Sequence, residues 1–261
     1  FGVREVSRRL GMSHTTISQW ETGKRVPHPE DVAAMLAAIG LTGERREEIL
    51  DLARGAADSN WLAAGGPGAS AALAGIVECE RTATEIIEWS PLVIPGLLQT
   101  PDCARAIIGS VDSLLPKEVE ARVRVRADRR AVLTDERDGL PPAEYTALIG
   151  EWALRQRIGG MAVFAAQLCE LLTLVVNDFA VVRVVPVQDD YHPGLAGSFI
   201  LYNFEEAPSI VHLESYRSSV FLYDEESVAA FRVATNQMLR RALEPKESAA
   251  LIAQVVEEIE R

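Results

Sequence analysis

The sequence predicts a mainly α protein with a small antiparallel sheet, an α+β chain in which an N-terminal helix-turn-helix domain is followed by an α+β regulatory domain. Three observations carry that expectation. Two short amphipathic segments meet at Gly11 near the start, and helical apolar spacing returns in most later segments. Three runs rich in β-branched or aromatic residues, 181–187, 198–204 and 209–214, are separated by Pro and Gly turns and read as strands. The division expected is residues 1–57 for the first domain, 58–71 for a linker and 72–261 for the second.

The first helix is expected over residues 3–10, with Val3, Val6 and Leu10 on one face at spacings of three and four. Gly11 ends it, since the left-handed conformation that closes a helix is cheap only for glycine. Ser7, four residues earlier, is small enough to let two helices cross closely. Ser13 is the expected N-cap of the second helix, which turns Ile17 and Trp20 inward and His14, Thr15, Ser18 and Gln19 outward. Gly23 ends it, with Lys24 and Arg25 just beyond. The outward hydroxyl, amide and imidazole groups suit base edges in a major groove, and the helix N-terminus suits a phosphate. A packing motif alone needs neither that polar face nor the Lys24-Arg25 pair, so double-stranded DNA is the expected partner.

The small residue, the four-residue step to Gly11, Ile17 and then W-E-T-G-K-R-V-P at residues 20–27 resemble the Xre or Cro/C1-type helix-turn-helix regulators over roughly residues 1–57. The resemblance implies that Ser13 and Thr16 approach phosphates and that His14, Thr15 and Gln19 read bases. The expected DNA contacts are therefore Ser13, His14, Thr15, Thr16, Ser18, Gln19, Lys24 and Arg25. Members of that family have another helix before this pair, whereas the chain begins at Phe1-Gly2 inside the motif, so the domain is expected to lack its first helix. One such unit contacts a half-site, which makes a homodimer on a pseudo-palindromic operator the expected assembly.

A net charge of −12 over 261 residues argues against a protein that coats nucleic acid by bulk electrostatics. Its distribution is uneven. Arg4, Arg8, Arg9, Lys24 and Arg25 against Glu5 and Glu21 leave +3 on residues 1–28, and so −15 on the rest. Cys79, Cys103 and Cys169 form neither a disulfide framework nor a metal spacing, and are expected to be buried small residues in a reducing compartment. With no signal peptide and no apolar run near 18 residues, the expected location is the cytoplasm, with no membrane partner.

Further along, Pro29 starts a third helix with Val32, Met35, Leu36 and Ile39 apolar, closed by Gly40. Thr42 caps a fourth, where Ile49, Leu50, Leu52 and Ala53 are the expected buried side. Residues 58–70 are rich in Gly, Ala and Ser and read as linker, with Trp61 and Leu62 docking on one domain. A helix is expected over about 72–88, then an extended buried stretch to Gly96 because Pro91 and Pro95 forbid a helix. Thr100 caps a helix with Pro101 at its first position. Pro116 opens one carrying Arg122, Arg124, Arg126, Arg129 and Arg130. Those arginines wrap the circumference, so pairing with acids elsewhere is expected in preference to a second nucleic-acid site. Then come a strand at 145–149, a helix from Glu151, another over 161–176, the three strands, and closing helices over 225–243 and 245–260. The closing helices' apolar faces suit a core better than a dimer surface.

P-G-L-L-Q-T at 95–100, the Arg-rich helix, H-P-G-L-A-G-S-F at 192–199 and A-L-E-P-K-E-S at 242–248 are similar to the regulatory domain of a large actinobacterial family of antitoxin-like regulators of toxin–antitoxin-type systems. That likeness runs from Leu73 to the end. It implies a small partner protein, often encoded next door, and a developmental or stress-related role, and it implies no particular ligand.

No enzyme is expected. His14, His28, His192 and His212 stand in no zinc-binding spacing, and there is no phosphate-cradling loop or nucleophile elbow, so catalytic residues, metal and cofactors are all expected to be none. His192 reads as a turn residue, and His212 with Glu214 as one side of a strand. The strand 210–214 followed by helices faintly resembles the metallopeptidase domain of some phage-type regulators, and without metal ligands would be a non-catalytic descendant. Two roles stay open for the second domain, receipt of a partner or small-molecule signal and neutralisation of a small partner. Trp89, Trp152, Tyr202 and Phe221 either line a pocket or fill a core.

Overall fold

The computed structural model describes the chain except residues 1, 22–24, 26, 57–59, 65–67, 111–113, 136, 138, 188–189 and 216–217, with side chains also left out at 51, 54–56, 60–64 and 68–72. Four short helices come first: α1 (Val3–Leu10), α2 (His14–Glu21), α3 (Pro29–Ile39) and α4 (Glu44–Ala56). Val6, Ile17, Leu36, Leu50 and Ala53 are their buried apolar residues. Gly40 closes α3 in the left-handed conformation with φ of 78°, as its position beyond Ile39 predicts. Leu52, expected inside, is 57% exposed. At the start of α4 it is the Gly43 carbonyl that accepts from Arg46 N–H at 3.0 Å, in place of the Thr42 cap.

The remaining elements are β1 (Asn60–Ala64), α5 (Gly68–Thr82), β2 (Glu85–Ser90), α6 (Pro101–Gly109), α7 (Pro116–Arg129), β3 (Glu144–Gly150), α8 (Met161–Val176), β4 (Val181–Val185), β5 (Phe199–Asn203), β6 (Ile210–Ser215), β7 (Ser218–Leu222), α9 (Glu225–Arg241) and α10 (Pro245–Glu260). The α+β class with an N-terminal helix-turn-helix stands, but the sheet is neither small nor wholly antiparallel. Its seven strands run in the order β1-β7-β6-β5-β2-β3-β4. β2, β3 and β4 are parallel neighbours, and the other pairings are antiparallel. Parallel neighbours need a crossover, which α6 and α7 supply between β2 and β3 and α8 supplies between β3 and β4.

Four expectations need correction here. The helix predicted over 72–88 stops at Thr82, and residues 85–90 are the strand between β3 and β5. Ile76, Cys79, Ala83 and Ile86 are all buried, and their steps of three and four continue a helical period through a chain that has already become extended. The stretch 58–71 is not all linker, since Asn60–Ala64 pairs with Ser218–Leu222; docking of Trp61 and Leu62 lies outside the described side chains. The helix from Glu151 is a single 3-10 turn, Glu151–Leu154. Between β2 and Gly96, Ile94 is buried as expected, but Leu92 and Val93 are 55% and 41% exposed.

Each face of the sheet carries its own core. Ile86, Tyr145, Ile149, Val184 and Tyr202 pack with Phe164, Leu168 and Leu171 of α8 and with Ile252 and Val255 of α10. Trp89, Leu148, Phe199, Leu201 and Val211 pack with Val228 and Met238 of α9. The closing helices therefore supply core, as their apolar spacing predicts. Thr100 caps α6, its hydroxyl accepting from Cys103 N–H at 3.3 Å with Pro101 at the first position. The arginine helix pairs with acids elsewhere: Arg129 with Glu80 and Arg130 with Glu170. Arg122 and Arg124 are exposed.

In the first of these cores the Tyr145 hydroxyl donates to Glu88 Oε2 at 2.6 Å, and burial raises the Glu88 carboxyl to about 7 from an ordinary 4.5. A carboxyl whose folded value lies above its unfolded one contributes stability that is present below pH 4.5 and lost as pH rises through about 7. Glu88→Gln keeps an acceptor for Tyr145 and removes the charge. It is expected to gain stability relative to the native chain as pH rises across that window, measured by urea melts at pH 5 and pH 8. An equal difference at the two pH values would refute this.

Candidate nucleic-acid interface

The interface is built from its bend outward. Gly11 adopts φ of 65°, the left-handed conformation expected of it, and its N–H donates to the Ser7 carbonyl. Ser7 does more than stay small: its hydroxyl donates to the Met12 carbonyl at 2.6 Å, while Met12 N–H donates to the Ser7 carbonyl at 3.1 Å. The turn is thus closed from both sides. Ser13 caps α2 as predicted, its Oγ accepting from Thr16 N–H at 3.1 Å and pairing with Thr16 Oγ1 at 2.8 Å. Ile17 is wholly buried and Trp20 half-buried, which fixes how α2 rolls against α1.

That roll decides what α2 presents. Ser13, His14 and Thr15 are exposed at its N-terminal end, and Thr16, Ser18 and Gln19 are half-buried. Arg25 is exposed, and its backbone N–H donates to the Gln19 carbonyl at 3.1 Å, so the chain folds back against the end of α2. Gly23 and Lys24 lie outside the described residues. Arg4 and Arg8 are exposed on α1. Arg9 is committed to the fold, donating to the Ala38 carbonyl at 2.7 Å and to Glu5 at 2.8 Å, which ties α1 to α3. Hydroxyls, an imidazole and the N–H groups of a helix start thus sit together at one end of α2, with Arg25 at its other end, a set able to hold phosphate and reach base edges.

The second domain offers no comparable chemistry at the histidines. His192 packs edge-on against Trp89 with ring centroids 6.0 Å apart, and His212 stacks on Phe221 at 4.6 Å. Among the described residues no group of three or more His, Cys, Asp or Glu could hold a metal ion, and no helix is long and apolar enough to cross a membrane. Cys79 and Cys103 are buried, and burial pushes their thiols up to about 12 and about 11. Cys169, expected inside, is exposed, because it falls on the outer side of α8. Of the four aromatics left open, Trp89, Tyr202 and Phe221 are buried, and Trp152 is 55% exposed.

Residues 1–49 match a family model described as a helix-turn-helix domain, and residues 73–254 match one described as a domain of unknown function, DUF5753. No curated protein matches the sequence. Among solved structures, TrmBL2, an archaeal chromatin protein whose structure is described as showing a novel mode of DNA binding, aligns over 88% of this chain and 68% of its own at 13% identity. The TM-score of that alignment is 0.35.

Proposed function

The chain belongs to the family of the domain of unknown function DUF5753 and carries a helix-turn-helix domain ahead of it; from that premise we propose a sequence-specific transcriptional regulator of the Xre kind, antitoxin-like, whose second domain receives a partner protein or a small-molecule signal. The observation that carries the reading is the N-terminal end of α2, where capped Ser13 and exposed His14 and Thr15 stand behind the Gly11 bend. In this reading Ser13 and Thr16 contact phosphates, His14, Thr15, Ser18 and Gln19 face bases, and Lys24 and Arg25 hold the backbone. A homodimer on a pseudo-palindrome supplies the specificity that one half-site lacks. The reader is residues 1–57, and the receiving domain is 72–261 together with the strand at Asn60–Ala64.

A second reading is favoured by charge. The −15 outside residues 1–28 suits a small basic partner, which the protein would neutralise while repressing its own operon. Co-purification of a stoichiometric small protein from the native host would select it.

The DNA reading is tested on an operator obtained by selection from random duplexes. Gln19→Ala is expected to cost about 1–3 kcal/mol at one base position and relax preference there. Arg25→Ala is expected to weaken all sequences alike and reduce the salt slope by about 1. Equal, uniform losses for both variants would refute the division between readout and positioning, and failure to select any sequence would refute the regulator itself.

A further inference from the structure

The strand β2 is parallel to β3 on one side and antiparallel to β5 on the other. Chain leaving β2 and chain entering β5 therefore lie at the same end of the sheet, and residues of both line a cleft there. The cleft has a volume of about 230 Å³, room for on the order of eight waters. Pairing register puts Glu88 beside Ile200 and Ile200 beside His212, with Glu214 two residues along the same strand, so these side chains leave one face. Gln99 and Arg126 of α7 close the opposite wall, and Ile107 of α6 adds an apolar side.

The polar groups there are incompletely used. Arg126 donates to Gln99 Oε1 at 2.8 Å, and Gln99 is itself held by donating to the Ile94 carbonyl at 2.7 Å. No carboxylate forms an ion pair with Arg126 among the described residues; burial and the neighbouring Arg129 disfavour its charge, which Glu214 and Glu88 only partly offset. His212 is 1% exposed; its Nε2 pairs with Ser219 Oγ, and its Nδ1, equally buried, has no hydrogen-bond partner among the described residues. Burial holds that imidazole down to about 4, so it faces the cleft neutral. A buried polar atom without a partner is costly, and a guanidinium that makes no ion pair with the Glu214 carboxylate or with the Glu88 carboxyl, one oxygen of which Tyr145 already holds, leaves a gap fitted to something charged at both ends.

We propose that this cleft binds a small zwitterion of amino-acid or dipeptide size, its carboxylate on Arg126, its ammonium group between Glu88 and Glu214, a polar atom on His212 Nδ1 and its apolar part against Ile107 and Ile200. A simple anion would meet the two carboxylates and a simple amine would meet the guanidinium. Only a molecule with both charges satisfies the set. The inference rests on the reading of the second domain as a signal receiver and names what it receives.

The test uses the full chain and two probes, an equimolar mixture of the proteinogenic amino acids and one of the glycyl dipeptides, screened by saturation-transfer NMR and followed by calorimetry on the members that bind. The amide and N-acetyl derivatives of a binder are each expected to lose about tenfold or more in affinity. Arg126→Met should lose about tenfold for the parent compound and little for its amide, and Glu214→Gln likewise for the parent and little for its N-acetyl form. Far-ultraviolet melts of both variants confirm that they fold, and Glu214, exposed on its strand, is the variant that tests the site should Arg126→Met unfold. Silence from both mixtures, or binding indifferent to the derivatives or to the substitutions, overturns the proposal. Operator binding is followed in parallel. Selective DNA binding without zwitterion binding overturns the cleft alone, whereas zwitterion binding without selective DNA binding overturns the regulator and leaves the cleft.

Discussion

Arg129→Met is expected to destabilise the protein by about 3–5 kcal/mol, because it leaves a carboxylate buried without its counter-charge. Glu80 near the end of α5 is 3% exposed, and Arg129 of α7 meets it with both prongs, Nε to Oε2 at 2.8 Å and a terminal nitrogen to Oε1 at 2.6 Å. The same turn is held by Arg137, which donates to the Glu80 carbonyl at 2.6 Å and the Ala83 carbonyl at 3.0 Å. Glu80 is too buried for bulk solvent to take over the lost bonds freely. The double variant Glu80→Leu, Arg129→Met removes both charges and is expected to recover most of the loss. Urea melts of the native chain, the single and the double decide it. A single variant within about 1 kcal/mol of the native chain would mean that the pair is solvated in practice.

Gly150→Ala is expected to cost about 3 kcal/mol, the upper range of overpacking. The strain is steric and not conformational, since Gly150 has φ of −66°, open to any residue. A Cβ there would lie 2.4 Å from the Pro91 carbonyl oxygen and 2.9 Å from Pro91 Cα. Those are backbone atoms of the chain leaving β2, so no side chain can swing away. Pro91 also leads into Val93, Pro95 and Gly96, which line the cleft beside β2, and the variant should weaken the zwitterion along with the fold. Gly109→Ala is the control: its nearest neighbour would be Val119 Cγ1 at an ordinary 3.9 Å, and alanine there is expected to be neutral or slightly stabilising. Equal thermal melts for the two variants would show that the Pro91 crossing is looser than its distances.

The reader was legible because its signals are local. Gly11, Ser13 and the step from Ile17 to Trp20 lie within ten residues, and each acts through a cap, a bend or one helix face. The α7 pairing was legible in part, since arginines on an acidic chain meet acids where the fold brings them close: Arg129 and Arg130 do, whereas Arg126 meets Gln99. The sheet was less so. β2 continues the helical spacing of α5 through Ile86, β7 begins with two serines, and β1 sits in a stretch rich in small residues, so none alternates strongly enough to announce a strand. What made them strands is hydrogen bonding to partners far along the chain, Asn60 to Leu222 and Glu85 to both Glu144 and Asn203.

Residue order alone therefore determined the helix-turn-helix, its cap and bend, the helices that close the chain, and the contrast between a basic start and an acidic remainder. Each depends on neighbours within a few turns, or on composition. The cleft was decided only by tertiary structure. Glu88, Arg126 and His212 are separated by dozens of residues, and no spacing links them. Strand register sets Glu88 and His212 on one face, and the crossover through α7 brings Arg126 over it, because parallel pairing of β2 with β3 requires the chain to travel back across the sheet between them.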